Sequence, residues 1–330
     1  MYLGLIWLML IAFIIIMYVI LDGFTLGVGL LFPWIRDGQK RDLMVSTVLP
    51  VWDGNETWLV FGGASLYGAF PLAFSTLLPL LYLPIMLLIT GLLLRGVSFE
   101  FRLKAHLSKY VWDSCLFLGS LLAVIAQGLV VGTYIQGFSF DPIKHVIVAN
   151  VTFNWFTLFC IFALIIGYTI LGAGRLIKKT EGELQDDLFN VAKIMQWFLL
   201  LIMLFIGIYS PNVGLNISAW FDFKHNLFIL PFLLFVIIGM VIHIYAIYKH
   251  NENLPFKILI IIFVAAYAGF ISSNFPYIVP KQITFIKAQA DNSALMFMLL
   301  GAAILIPLLL IYTAYAYRIF GGKVNEKISY

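Results

Sequence analysis

Asp53 and Glu56 are the residues whose type and position most strongly indicate chemistry in this chain. They lie three residues apart within residues 50–58, where a basic loop passes into a long apolar stretch. An acid retained at a membrane boundary is costly to desolvate and commonly serves a site such as a proton relay. The pair therefore predicts a role in proton transfer.

Composition indicates the environment in which these acids act. The chain has 330 residues, of which 62% are hydrophobic and 11% charged, and its mean hydropathy is +1.01. Soluble domains carry about 25% charged residues. The chain is thus predicted to be an all-α integral membrane protein, a single polytopic domain over residues 1–330. It has no long basic stripe outside its loops, so a nucleic-acid partner is not expected.

Apolar runs of about 20 residues are long enough to cross the hydrocarbon core of a bilayer. About nine transmembrane helices are predicted, at 3–31, 50–73, 76–96, 114–136, 154–174, 193–210, 227–248, 256–273 and 294–318. Sixteen of the 20 Lys and Arg residues fall in or beside alternate connections and the C-terminal tail. Because basic residues concentrate on the cytoplasmic side, we expect the N-terminus outside and the C-terminus inside.

This orientation places three acids near the cytoplasmic border. Asp22 lies about 28 Å along the first helix from its outer end, and Asp53 and Glu56 lie at the start of the second. We expect the three to converge, with basic partners from the intervening loop, namely Arg36, Lys40 and Arg41.

Milder explanations remain open for each acid. Asp-x-x-Glu before an apolar run is also a helix-capping pattern, and acids in a first turn complement the helix dipole. Asp22-Gly23 is also typical of a turn. The charged residues Arg95, Glu100 and Arg102 are interpreted as a solvated flank of the third span, whereas Gln127 is predicted to hydrogen-bond across helices.

Residues that could hold a redox centre are sparse. Haem or metal sites in helix bundles need buried ligands that face one another. Cys115 and Cys160 have no ligand-like spacing, and only His243 lies well inside a predicted span; the other histidines are His106, His145, His225 and His250. Glycines at 23, 27, 29, 62 and 63 are expected to allow close helix packing.

Several motifs taken together resemble subunit II of cytochrome bd-type quinol oxidases. They are residues 22–29, 50–58 with Gly62-Gly63, Phe70-Pro71, 95–102, 275–277 and 310–315. The resemblance extends over nearly the whole chain, although residues 138–270 add little beyond hydropathy. The short loops and residues 277–280 are more similar to the cyanide-insensitive branch.

The resemblance implies nine spans, no cofactor in this chain, and haems b and d in a partner, subunit I. It implies a complex of the bacterial cytoplasmic membrane that oxidises quinol and reduces O2, with small accessory subunits and a bound quinone or lipid as further expectations. Asp53 would belong to the cytoplasmic proton path, with Glu56 as a neighbour. Many members carry a second acid where this chain has Thr25, so more weight would fall on Asp22.

Two other functions compete with this interpretation. A proton-coupled transporter or channel would use Asp22, Asp53 and Glu56 as coupling acids, although transporters usually place such acids near the midplane on broken helices. A purely structural scaffold subunit would need these acids only for capping.

Overall fold

The structure is a computed structural model that describes residues 2–105, 107–141, 145–148, 154–209 and 230–324. His106 and His225 lie outside the described residues. So do residue 210, which ends the predicted sixth span, and residues 227–229, which begin the predicted seventh span.

Helices make up most of the described chain. They are α1 (Tyr2–Leu30), α2 (Gly38–Val48), α3 (Trp52–Ala69), α4 (Pro71–Leu80), α5 (Tyr82–Lys104), α6 (Lys109–Gln136), α7 (Trp155–Lys179), α8 (Glu183–Tyr209), α9 (Leu230–Tyr248), α10 (Leu254–Asn274), α11 (Phe285–Ala288) and α12 (Asn292–Ile319). Two short antiparallel hairpins join them: β1 (Ser139–Asp141) with β2 (Val146–Val148), and β3 (Tyr277–Val279) with β4 (Ile283–Thr284).

The predicted all-α, multi-pass class is confirmed. Within the described ranges, eight helices are long and apolar enough to cross a membrane: α1, α5, α6, α7, α8, α9, α10 and α12. The remaining predicted span, the second one at 50–73, corresponds to α3, which has 18 residues. It is not one of the eight, because polar residues fill its first two turns. The orientation of the termini and the single-domain organisation stay predictions.

The chain around Pro71 departs from the predicted limits. Residues 76–80 were expected to begin the third span, but they belong to the separate ten-residue helix α4, and the following long helix starts at Tyr82. Proline disfavours helical geometry in the residue before it, and Phe70 accordingly breaks the helix with φ −133° and ψ 64°. The third span is therefore α5, which extends to Lys104.

Glycines bring the backbones of the central helices into direct contact. A Cβ on Gly27 of α1 would lie 1.8 Å from the carbonyl oxygen of Tyr168 on α7, and a Cβ on Gly172 would lie 2.6 Å from the carbonyl carbon of Gly27. On α6, a Cβ on Gly119 would lie 2.8 Å from the backbone nitrogen of Arg95. The predicted close packing at Gly27 is confirmed, whereas an added Cβ on Gly63 meets nothing described within 4 Å.

Ion pairs join α2, α5, α6 and α8 at one end of the helix bundle. Arg102 Nε donates to Asp113 Oδ1 at 2.5 Å, and Arg41 Nη1 lies 2.9 Å from Asp113 Oδ2. Lys40 Nζ lies 2.7 Å from Asp187 Oδ2, and this pairing raises the pKa of Lys40. The expectation that Lys40 and Arg41 pair with the site acids is therefore wrong, because acids of other helices bind them. The solvated interpretation of Arg102 is also wrong, since only 3% of its surface is exposed.

The last described residues pack onto the same end of the bundle. Lys179, the buried last residue of α7, donates from Nζ to the carbonyl oxygens of Phe320 and Gly322. The backbone nitrogen of Val324 donates to the Lys179 carbonyl oxygen at 2.8 Å. The segment after α12 therefore closes over the end of α7.

The α1–α7 contact gives a testable expectation for the fold. Replacing Gly27 with Ala should strongly reduce the yield and the Tm of the purified protein, because the new Cβ would collide with backbone atoms that cannot rotate away. Gly63→Ala is the matched control, and it should be neutral or slightly stabilising, since Ala is favoured over Gly in helices by about 1 kcal/mol. Equal Tm values for the two variants would contradict the close contact.

Candidate functional site

Asp22 lies inside α1 and is completely buried. Its neighbour Gly23 is also helical, so the turn interpretation of Asp22-Gly23 is wrong. The Thr25 hydroxyl donates a hydrogen bond of 2.5 Å to Asp22 Oδ1 and also lies 2.8 Å from the Asp22 carbonyl oxygen. The carboxylate thus projects into the protein and not into the loop that follows α1.

Arg95 of α5 is the cation that meets this carboxylate. Its Nη2 donates to Asp22 Oδ1 at 2.8 Å and also to Glu56 Oε1, and its Nη1 donates to Thr25 Oγ1 at 3.1 Å. None of its surface is exposed. One guanidinium therefore joins α1, α3 and α5.

The sequence interpretation of Arg95 as part of a solvated flank is wrong. The available signal was its position inside the predicted span 76–96, since a charge within a membrane helix is almost always paired. Asp22 and Glu56 were the acids at a matching depth. Glu100 of the same group is exposed, as expected of a solvated flank.

Glu56 lies at the edge of this cluster, with 23% of its side chain exposed. The capping interpretation does not describe it, because α3 begins after Val51 without a side-chain hydrogen bond to its first turn and the Glu56 carboxylate binds Arg95. Asp53 lies one turn earlier on α3 and is exposed. The structure brings Asp22 and Glu56 together but leaves Asp53 outside their ion pairs.

Asn55 is a site residue that the sequence interpretation missed. Its Nδ2 donates to the Leu21 carbonyl oxygen of α1 at 2.8 Å, and its Oδ1 accepts from the Tyr317 hydroxyl of α12 at 3.1 Å. Only 2% of its surface is exposed. The sequence did hold a signal for this role. Asn55 lies between Asp53 and Glu56, and helical spacing puts its side chain on a different face of α3 from theirs. These bonds fix the rotation of α3 that turns Glu56 towards Arg95.

A second polar group continues along α1, one helical turn before Asp22. Gln127 of α6 donates from Nε2 to the Tyr18 hydroxyl at 3.2 Å and accepts at Oε1 from the Tyr168 hydroxyl of α7 at 2.7 Å. The prediction that Gln127 hydrogen-bonds across helices is confirmed. Polar side chains thus follow one buried face of α1 from Thr25 to Tyr18.

The charges of the cluster do not cancel. Two carboxylates, Asp22 and Glu56, share one guanidinium, so the ionised cluster carries one excess negative charge. Asp22 Oδ2 is buried and has no hydrogen-bond partner among the described residues. One proton would balance the cluster, which makes it chemically suited to accept and release a single proton.

The described residues contain no cluster of side chains suited to a metal ion. No three His, Cys, Asp or Glu side chains in the described ranges lie close enough to hold a metal. His243 is buried in α9, and neither of its ring nitrogens meets a hydrogen-bonding partner there. Cys115 and Cys160 are both free thiols.

Comparisons with known proteins extend over almost the entire chain. The model of the family described as "Cytochrome bd terminal oxidase subunit II" matches residues 3–320. The cytochrome bd-I ubiquinol oxidase subunit 2 of Escherichia coli (strain K12) is 26% identical over an alignment 365 positions long, gaps included, which covers 98% of this chain and 96% of that protein. The cytochrome bd ubiquinol oxidase subunit 2 of Bacillus subtilis (strain 168) is 34% identical over 138 residues, 41% of each chain.

A solved structure shares the fold. A chain in the structure of bd oxidase from Geobacillus thermodenitrificans superposes with a TM-score of 0.81 at 16% sequence identity, covering 97% of this chain and 99% of that one. The chain therefore belongs to the cytochrome bd terminal oxidase subunit II family, and it is a multi-pass protein of the bacterial inner membrane and a component of a quinol oxidase.

Proposed function

We propose that this chain supports a haem-bearing subunit I and delivers protons from the cytoplasm for the reduction of O2 to water. The observation that carries the proposal is the buried Asp22–Arg95–Glu56 cluster, which has two carboxylates for one cation. Quinol and O2 would be substrates of the whole complex. The haems b and d would lie in the partner, as membership of this family implies.

A gradient of exposure supports the direction of proton entry. Asp53 is exposed, Glu56 is partly exposed, and Asp22 and Arg95 are completely buried. An exposed acid can collect a proton from water, and an acid one turn deeper can pass it inward. Asp53 would therefore be the entrance of the proton path, and Glu56 and Asp22 would be the first proton-accepting residues inside the protein.

The hydrogen-bonded group beyond Asp22 supports an onward route. Tyr18 precedes Asp22 by one turn of α1, and its hydroxyl belongs to the chain Tyr18–Gln127–Tyr168. The two hydroxyls can transfer protons when water completes the connections, and the Gln127 amide holds them in position. The transfer to the partner subunit would occur from this region.

A scaffold role is the second candidate, and the ion pairs themselves favour it. Arg95 links three helices, and buried pairs of this kind can hold a structure in register without moving protons. A transporter has less support, since Asp22 and Glu56 lie on the continuous helices α1 and α3.

An exchange at Asp53 tests the entrance. Asp53→Asn in the intact complex should lower quinol-dependent oxygen consumption by about 100-fold or more, since a positioned proton-transfer group contributes about 10²–10⁴-fold, without altering assembly. Asp187→Asn is the matched control, because it removes another acid at the basic end and should leave the rate unchanged. Normal oxygen consumption in Asp53→Asn would remove this residue from the path.

An exchange at Glu56 tests separately whether this acid accepts protons inside the protein. Glu56→Gln keeps the size of the side chain and can still accept a bond from Arg95, so the complex should assemble. Oxygen consumption should fall, and less so at low pH, where protons are abundant. Glu100→Gln, an exposed acid of α5, should show neither effect. A rate equal to that of the control at every pH would contradict a relay at Glu56.

A combined exchange separates proton delivery from scaffolding. Arg95→Gln alone should destabilise the protein by about 3–5 kcal/mol, because the buried Asp22 and the partly buried Glu56 lose their partner, and thermal unfolding would measure this. The triple variant Asp22→Asn, Glu56→Gln, Arg95→Gln removes all three charges and should recover most of the stability. Oxygen consumption that stays low in the triple variant supports proton delivery, whereas oxygen consumption that returns with stability supports the scaffold.

A further inference from the structure

Arg175 is a buried cation for which the described residues offer no counter-charge. It lies in α7, one helical turn before the end of that helix, and 7% of its surface is exposed. The other buried arginines of the described chain, Arg95 and Arg102, bind carboxylates. Arg175 forms no ion pair or hydrogen bond with a described residue, and its Nε is shielded from solvent. A cation withheld from water is unfavourable without a partner of opposite charge.

Aromatic rings from three other helices surround the Arg175 guanidinium. Its Cζ lies 5.5 Å from the ring centroid of Phe24 on α1, 5.6 Å from that of Phe256 on α10 and 5.1 Å from that of Tyr317 on α12. Phe24 contacts both other rings edge to face. Ring faces attract a cation, but they lack the oxygen acceptors that the five N–H donors of arginine require. The rings therefore position this cation and leave its charge unbalanced.

Basic residues of α7 and α10 lie beside Arg175. The two helices touch where a Cβ on Gly174 would lie 3.3 Å from the backbone of Phe256. Lys178 follows Gly174 by one turn on the same face of α7. It lies within electrostatic range of Arg175 and of Lys257 in the first turn of α10. Lys178 is partly exposed and Lys257 is exposed. Three cations therefore share the junction of these two helices.

The surrounding groups do not balance this charge. Glu181 and Glu252, the acids of the adjoining connections, both bind Lys323, at 3.0 and 2.8 Å. Lys179, the last residue of α7, adds a further positive charge, and its ammonium is bound by uncharged carbonyl oxygens. The partial negative charges at the ends of α7 and α12 together amount to about one unit. The junction keeps a net positive charge, which an anion would neutralise.

The depth of Arg175 in the bundle indicates which anion it meets. The helices α7, α10 and α12 are all long and apolar enough to span a membrane. Arg175, Phe256 and Tyr317 each lie within about one turn of a helix end. Lipid head groups lie at the ends of spanning helices, and basic pockets there bind anionic head groups. The arginine fork also matches phosphate oxygens. We propose that Arg175, with Lys178 and Lys257 at its rim, binds the phosphate group of an anionic molecule.

The same cations select against a phosphate that carries its own positive group. Lys178 and Lys257 would repel the choline of phosphatidylcholine, whereas phosphatidylglycerol has no such group. Inorganic phosphate offers the same chemistry from the aqueous side. An anionic lipid and a soluble phosphate are therefore the two sources of the ligand.

Thermal unfolding of the intact complex in nanodiscs tests for the ligand and identifies its source. In phosphatidylcholine nanodiscs, addition of phosphatidylglycerol should raise the Tm by about 2–4 °C, because a ligand of the folded state stabilises it. A rise produced instead by inorganic phosphate at constant ionic strength would identify the soluble anion. A Tm that responds to neither addition would overturn the proposal.

Two arginine variants locate the effect. Arg175→Gln should abolish the rise in Tm, because it removes the charge and the fork. Arg36→Gln is the matched control, since Arg36 is an exposed arginine at the same end of the bundle without an ion pair to a described residue. It should keep the full rise. Rises of equal size in the two variants would overturn the proposal.

A variant at the rim keeps the test decisive if Arg175→Gln fails to fold. Lys257 is exposed, so Lys257→Gln should leave folding intact. A lysine near the membrane surface contributes about five-fold to the affinity for an anionic lipid. Lys257→Gln should therefore need about five-fold more ligand, the lipid or inorganic phosphate, for half of the rise in Tm. A requirement equal to that of Arg36→Gln would contradict the site.

Discussion

The Arg95 guanidinium is the interaction on which the central part of the structure depends. It binds Asp22 of α1 and Glu56 of α3 from its own position on α5, with no exposure to solvent. Charges removed from water are unfavourable unless their partners are well placed. The three helices must therefore keep one relative position, and the surrounding contacts serve to hold that position.

Glycines make this position reachable. An arginine side chain bridges two carboxylates only if the three backbones lie close together, and the near contact of Gly119 with the Arg95 backbone brings α5 against α6. Gly27 similarly allows α1 to approach α7. Asn55 then fixes the rotation of α3 through bonds to α1 and α12. Small residues thus determine which polar groups meet.

Much of the fold follows from the sequence, because long apolar runs and basic connections depend only on local composition. The proximity of the acids at 22 and 56 was also predictable. Their partner was not, since pairing Arg95 rather than Arg41 with them depends on helix rotation and crossing. The break at Phe70 was missed because α4 is as apolar as a span. The polar first turns of α3 lower its hydropathy, yet the apolar residues that follow were enough to predict a span at 50–73.

The separation of Asp22 from Arg95 along the chain also has a consequence for biosynthesis. Their ion pair joins residues 73 positions apart, so a ribosome adding 5–20 residues per second completes Arg95 roughly 4–15 s after Asp22. During that interval α1 carries an unneutralised acid, which opposes its release into lipid. The Asp22–Arg95 ion pair can therefore form only after α5 has been synthesised.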